Sequence, residues 1–335
     1  MESPGAPRPP RPRPAAVDVR RRSVSFRAVR TRLAILATAL VTGCGGDEPG
    51  ETAAPASTPT PNPTTAAEPA EPAEPGSAAN AFIGSLAVDP GDGTLMIGTG
   101  LGLFRLEPRA KQAERVVGKL ETPGGAGELS SNLVVRYAGP GDLLASGHPE
   151  GAGSLPEDLG LIRSGDGGDT WEPISEVGES DFHVLQATGD HVVAVRVDEA
   201  DVLVSTDGGR SFEPRTPPDA PLDVAFDPAE PEQMVVATAQ GTFSSGDGGG
   251  SWRPRDPIPT DQLAWGRSLY RADPGGAVKQ SDDGGATWTE RGNVGLTVNE
   301  LAIDDDGTLY ASVPGGEVKR STDGGATWKR LLRLE

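Results

Sequence analysis

The stretch Ser321-Thr322-Asp323-Gly324-Gly325-Ala326-Thr327-Trp328 has four counterparts that align with it without gaps. The counterparts begin at Ser164, Ser205, Ser245 and Ser281, so that neighbouring copies start 36 to 41 residues apart. A period near 40 residues with hairpin signals is typical of β-propellers, in which every repeat forms one four-stranded blade. The repeats therefore predict an all-β fold.

These octapeptides have the composition of a hairpin turn. An aspartate side chain accepts hydrogen bonds from turn amides, glycine adopts the positive-φ conformation, and an aromatic ring packs beneath the turn. We therefore expect the recurring aspartate and aromatic positions to be structural, and neither catalytic nor calcium-binding. These positions are Asp166, Asp207, Asp247, Asp283 and Asp323, with Trp171, Phe212, Trp252, Trp288 and Trp328.

Strands placed around the octapeptides fill residues 81–335 with six blades of about 42 residues each. We predict a six-bladed β-propeller as the single folded domain. In this prediction the fourth strand of the first blade covers 115–117, and residues 118–129 carry no strand. The innermost strand of the third blade covers 181–185.

The N-terminal residues 1–43 have the features of a bacterial lipoprotein signal peptide. Arginines precede an apolar run over 33–41 that is too short to span a membrane. The run ends in Val41-Thr42-Gly43-Cys44, which resembles a lipobox. Cys44 is the only cysteine of the chain, and we predict that it carries the lipid. The expected location is the outer face of the cytoplasmic membrane, to which the lipid anchor binds the protein.

The segment between the signal peptide and the repeats is predicted to be a disordered tether over 44–80. Residues 45–80 contain eight prolines and lack aromatic residues, valine, leucine and isoleucine. Such a composition buries too little apolar surface to offset the entropy lost on ordering the chain.

Charge and cysteine content exclude several functions. The chain has 49 acidic and 30 basic residues, for a net charge of −19. An acidic surface repels phosphate backbones, so we expect no nucleic-acid partner. A single cysteine supplies neither a disulfide framework nor a cysteine-based zinc cluster. We expect a monomer without a cofactor.

The octapeptides resemble the Asp-box, or BNR repeat, of sialidase-like and sortilin-like propellers, which reads Ser-x-Asp-x-Gly-x-Thr-Trp. Together with Ser146-Gly147-His148-Pro149 and Asp181-Phe182-His183, they resemble a family of secreted bacterial lipoproteins commonly labelled glycosyl hydrolase. The resemblance covers essentially all of 81–335. Members of that family tend to begin the first blade with His-Ile-His-Gly, where this chain has Phe82-Ile83-Gly84-Ser85.

Propeller topology places a candidate ligand site on one face. Loops between second and third strands share that face with the segments that enter the innermost strands. His148, Asp181 and His183 fall in such segments, while Arg136 and Trp265 lie on innermost strands and face the channel. Two histidines beside one carboxylate are a sparse ligand set, so we predict no metal, with His148 and His183 as weak candidates.

The expected function is that of a non-catalytic binding or assembly module for an extracytoplasmic protein or glycan. Sialidases use a tyrosine nucleophile. The chain has three tyrosines, and Tyr270 and Tyr310 occupy equivalent second-strand positions, as repeat packing predicts. Two alternatives stay open. One is a glycoside hydrolase, other than a standard sialidase, whose catalytic residues the sequence does not identify. The other is a metal-binding protein that uses His148 and His183.

Overall fold

The structure is a computed structural model that describes residues 82–123, 125–129, 132–148, 155–196 and 199–334. The predicted signal peptide, the tether and the predicted lipid attachment site Cys44 lie outside the described residues. Within the described part, no helix has the length and apolarity needed to cross a membrane.

The described residues form six sheets, each built from strands that are consecutive in the chain. The first contains β1 (Ile83–Val88), β2 (Leu95–Thr99), β3 (Gly102–Leu106) and β4 (Glu114–Val116). The second contains β5 (Gly118–Thr122), β6 (Gly125–Leu129), β7 (Leu133–Gly139), β8 (Asp142–Gly147), β9 (Leu161–Ser164) and β10 (Thr170–Ser175). The third contains β11 (Val184–Thr188), β12 (His191–Arg196), β13 (Asp201–Ser205) and β14 (Glu213–Arg215).

The remaining three sheets repeat the same four-stranded plan. The fourth contains β15 (Pro221–Phe226), β16 (Met234–Thr238), β17 (Gly241–Ser245) and β18 (Arg253–Asp256). The fifth contains β19 (Gln262–Trp265), β20 (Leu269–Ala272), β21 (Ala277–Ser281) and β22 (Thr289–Asn293). The sixth contains β23 (Glu300–Ile303), β24 (Leu309–Val313), β25 (Glu317–Ser321) and β26 (Lys329–Arg333). The prediction of an all-β, six-bladed propeller is confirmed.

The core lies between neighbouring blades. Second strands such as β2, β16 and β24 are buried along their whole length, and their sequences are correspondingly apolar or small on both faces. Outermost strands such as β18 and β22 are mostly exposed. Each buried leucine, isoleucine or valine contributes about 1.5–3 kcal/mol to folding, so the blade interfaces supply most of the hydrophobic stabilisation.

The ring closes by packing of the first blade against the sixth. Every sheet in the described part of the chain consists of consecutive strands, so neither β1 nor β26 is exchanged into a distant blade. Ile83 and Leu86 of β1 belong to the same buried cluster as Ala302 and Val318 of the sixth blade. The hydroxyl of Ser312 also donates to the carbonyl of Ile83 at 3.3 Å. The sequence had left the mode of closure open.

The second blade departs from the prediction because a hairpin extends it to six strands. Strands β5 and β6 occupy the region assigned no strand, and β5 pairs in parallel with β10 through Lys119 and Leu120. The anchors are Leu120 and Leu129, which are buried in one cluster with Trp171. Such a short hairpin with two apolar anchors carries little periodic signal. The first blade's fourth strand ends at Val116, and the third blade's innermost strand begins only at Val184.

The five octapeptides form the same turn between the third and fourth strands of a blade. In the last one, Asp323 accepts hydrogen bonds from the Ser321 hydroxyl at 2.7 Å, the Thr327 hydroxyl at 2.6 Å and the Thr327 amide at 2.9 Å. Gly324 and Gly325 have φ values of 67° and 86°, which side chains disfavour. The predicted structural residues thus lie in or directly beside these turns, on the face opposite the ends where the innermost strands begin, with Trp171 as the second residue of β10.

Candidate functional site

One end of the central channel opens into a cavity of about 530 Å³. All six blades contribute to it, because each innermost strand begins there. The contributing residues at these strand starts include Phe82, Asn132, His183, Leu222, Gln262 and Asn299. We call this cavity the His148 mouth, since the connection that follows β8 adds Gly147 and His148 to its wall.

The predicted trio of His148, Asp181 and His183 meets in this wall. Asp181 Oδ2 lies 2.6 Å from His183 Nε2 and 3.3 Å from His148 Nε2. The two imidazole rings are 6.1 Å apart, at 84° to each other. The other ring nitrogen of His148, Nδ1, lies 3.8 Å from Asp158 Oδ1. Two blades therefore supply one compact His-Asp-His cluster.

Local sequence explains why Asp181 and His183 point the same way. Asp181 and His183 flank Phe182 in the segment that leads into β11. Phe182 is fully buried, and its amide donates to the hydroxyl of Ser146 at 3.0 Å. The burial of Phe182 and this link to the second blade fix the backbone, so that both flanking side chains line the mouth.

The mouth contains a half-buried ion pair between Arg136 and Glu300, of which the sequence analysis selected only Arg136. Arg136 donates to Glu300 Oε1 at 3.1 Å and to the carbonyls of Leu185 and Leu86 at 2.8 and 2.9 Å. Burial raises the pKa of Glu300 to about 7, against the opposing effect of Arg136. The arginine therefore ties together backbone from the first and third blades and a carboxyl group from the sixth.

Asp223 is a buried carboxyl group of the mouth. It accepts hydrogen bonds from the amides of Val224 and Leu263, each at 2.7 Å. Burial raises its pKa to about 8; the nearby negative charge of Glu300 also raises it, whereas the two amide hydrogen bonds and Arg136 lower it. Neither Asp223 nor Glu300 was selected from the sequence. The sequence signal that could have identified them is an acidic residue near the start of a predicted innermost strand, where the residues that follow are apolar.

Trp265 lies elsewhere. It is the last residue of β19 and lines a second cavity of about 350 Å³ at the other end of the innermost strands. Arg136 lines both cavities and so lies between them. The structure therefore brings His148, Asp181, His183 and Arg136 to one mouth and leaves Trp265 apart from them.

Comparisons with known proteins give the following findings. No protein-family model and no curated protein matches the chain. A solved structure of YCF48 from Cyanidioschyzon merolae is 16% identical, with a TM-score of 0.45 over 75% of this chain and 85% of that one. YCF48 bound to D1 peptide is 18% identical, with a TM-score of 0.42 over 66% and 71%. The GH74 xyloglucanase from Xanthomonas campestris is 17% identical, with a TM-score of 0.44 over 75% and 45%. These identities and TM-scores are low, so the assignment of a propeller rests on the six sheets of this structure.

Proposed function

We propose that the chain is a lipid-anchored, extracytoplasmic binding module that engages a partner protein at the face of the His148 mouth. The anchor follows from the lipobox-like sequence before Cys44 and the proline-rich segment behind it. The binding role is inferred from the chemistry of the exposed residues around the mouth.

The observation that carries the proposal is the distribution of exposed apolar side chains. In the described part of the chain, five large hydrophobic residues are exposed. Phe82, Ile258 and Leu296 lie in segments that lead into innermost strands, and Leu222 is the second residue of β15, so all four lie towards the face of the mouth. Phe82 is 62% exposed and Leu222 is 46% exposed, and both line the cavity itself.

Concentration on one face favours recognition of a protein. Isolated exposed hydrophobic residues are ordinary, whereas apolar groups that gather around a concave site are typical of binding surfaces. The polar groups at the wall and floor of the mouth supply orientation, because buried hydrogen-bonding groups discriminate between ligands more sharply than apolar contact does. An apolar segment of a partner fits this combination.

Site-specific photo-crosslinking in intact cells tests the proposal. Phe82 and Leu222 are each replaced by a photoreactive phenylalanine analogue in the full-length protein, and adducts are identified by mass spectrometry. The matched control is the same replacement at Val117, which is 41% exposed and precedes the added hairpin. We expect one shared partner at positions 82 and 222 and not at 117. Equal adducts at all three positions, or none at 82 and 222, would contradict the proposal.

A second candidate function, glycoside hydrolysis, is favoured by two carboxyl groups of the mouth, one buried and one half-buried. Glycosidases pair two carboxyl groups, of which the general acid has a raised pKa. Asp223 and Glu300 both line the mouth, and burial raises the pKa of both. A panel of polysaccharides and chromogenic glycosides tests this function. Turnover by the wild type that disappears in both Asp223→Asn and Glu300→Gln would favour hydrolysis over binding alone.

A further inference from the structure

We propose that His148, Asp181 and His183 form a binding site for one zinc ion in the wall of the mouth. The three side chains supply two imidazole nitrogens and one carboxylate oxygen, and these donor atoms all lie within 4.8 Å of one another. Zinc binds such nitrogen and oxygen donors, and three protein ligands with one open position are the usual set of an exchangeable or catalytic site.

The spacing of the donor atoms fits a tetrahedral ion. Bonds of about 2.0–2.1 Å to each ligand place neighbouring donors about 3.3 Å apart. His148 Nε2 is 3.3 Å from Asp181 Oδ2, and His183 Nε2 is 2.6 Å from the same oxygen. The first distance matches the tetrahedral spacing, and His183 would have to move away from the Asp181 oxygen to admit the ion.

A carboxylate on the far side of His148 strengthens the assignment. Asp158 Oδ1 lies 3.8 Å from His148 Nδ1. Metal-bound histidines commonly direct their second ring nitrogen to a carboxylate, which fixes the tautomer and makes the ligand more basic. At 3.8 Å the two groups are too far apart for a hydrogen bond, so Asp158 would have to approach Nδ1 to orient His148 in this way when the ion binds.

The exposure of the ligands indicates what the fourth position would take. The side chains of His148 and His183 are 49% and 54% exposed, whereas that of Asp181 is 13% exposed. The open position of the ion would therefore face the solvent of the mouth. Water would occupy it in the isolated protein, and a donor group of a ligand could replace that water.

Calorimetric titration of the full-length protein with zinc sulfate tests the site, using a purification tag without histidine. We expect one zinc ion per chain, with affinity at least about 10-fold weaker in His148→Ala, His183→Ala and Asp181→Asn. Asp158→Asn should weaken binding by about 10–100-fold, the usual effect of losing such an outer carboxylate. The control is His191→Gln, because His191 is the remaining histidine and packs against Phe226 away from the mouth.

X-ray absorption at the zinc edge provides a readout that needs no variant. Two imidazole ligands and oxygen donors in the wild type would support the site. No binding, affinity in the three ligand variants equal to that of the wild type, or a zinc spectrum without imidazole would overturn it and leave a His-Asp-His cluster without a metal. Because the titration uses the protein alone, its failure is distinct from failure of the proposed partner binding.

Discussion

Replacement of Asp223 by asparagine should change the pH dependence of stability. In the folded protein this carboxyl group is buried, and burial raises its pKa from 3.8 to about 8. The folded state therefore holds a proton that the unfolded chain has lost at neutral pH. A carboxyl group whose pKa is raised on folding contributes fully to stability at pH values below its pKa in the unfolded chain. That contribution is lost as the pH rises towards its pKa in the folded protein. The window runs from about pH 4 to about pH 8.

The size of the effect follows from proton linkage. Each pH unit within the window costs about 1.4 kcal/mol for one proton. Between pH 5 and pH 8 the wild type should lose on the order of 4 kcal/mol through Asp223 alone. Glu300 acts in the same direction, since burial raises its pKa from 4.5 to about 7. The loss should therefore be steepest between pH 5 and pH 7, where both groups titrate.

The turn aspartates act in a different window and with the opposite sign. Hydrogen bonds, first from the hydroxyl of the following serine or threonine, lower the pKa of Asp207, Asp247 and Asp283 to about 2. Their contribution is present above the unfolded pKa of 3.8 and is lost as pH falls towards 2. Measurements above pH 5 therefore exclude the turn aspartates. Burial lowers the pKa of His191 below its ordinary value of 6.5, and this group acts in the direction opposite to the two carboxyl groups of the mouth.

Urea denaturation at pH 5, 6, 7 and 8 measures the free energy of unfolding. The free energy of unfolding of Asp223→Asn should fall less steeply with pH than that of the wild type, by the slope that corresponds to about one proton. At pH 8 the variant should be more stable than the wild type. At pH 5 the variant should lie within about 1–3 kcal/mol of the wild type, since it forfeits one of two amide hydrogen bonds. The control Glu230→Gln changes an exposed carboxylate and should keep the wild-type slope. An unchanged slope in Asp223→Asn would refute the reasoning.

Three further predictions concern stability and location. Trp171→Ala should lower the free energy of unfolding by about 3–5 kcal/mol, because the ring is 5% exposed and packs with the added hairpin. Urea denaturation measures this change, and a loss below about 1 kcal/mol would contradict the role of the ring. Gly98→Ala should lower the melting temperature, since its Cβ would lie 2.1 Å from the carbonyl oxygen of Leu133, whereas Gly139→Ala, with no atom within 4 Å, should not. Cys44→Ala should move the protein from the membrane to the soluble fraction or leave uncleaved precursor, and unchanged fractionation would contradict lipidation.

The repeats made the fold predictable because each octapeptide is a complete local signal. Serine, aspartate, paired glycines and an aromatic residue specify a turn by contacts within a few residues, as the bonds from Ser321 and Thr327 to Asp323 illustrate. Five such turns at a regular spacing fix the number and order of most strands. The hairpin of β5 and β6 was missed because its stability depends on Leu120 and Leu129 packing beside Trp171, a contact that no local pattern encodes.

The sequence predicted the residues of the candidate site only where the strand order of a blade is enough to place a residue on one face. His148 and His183 were placed on one face because the order of strands in a blade determines where each connection lies. Asp223 and Glu300 were missed because their burial depends on blades distant in sequence, such as Arg136 of the second blade beside Glu300 of the sixth. Trp265 was correctly placed on an innermost strand, but it occupies the strand's far end.

The seam between the second and third blades is one place where this propeller departs from its own repeat. Six similar blades would present similar residues around the channel, whereas a ligand site needs unlike groups at one position. Here the connection after β8 runs to β9 at Leu161, and it supplies His148 and Asp158. The hydroxyl of Ser146 holds the amide of Phe182 across the seam, which directs Asp181 and His183 towards His148. Regular packing thus supplies the rigid frame, and the irregular connection brings the polar cluster to it.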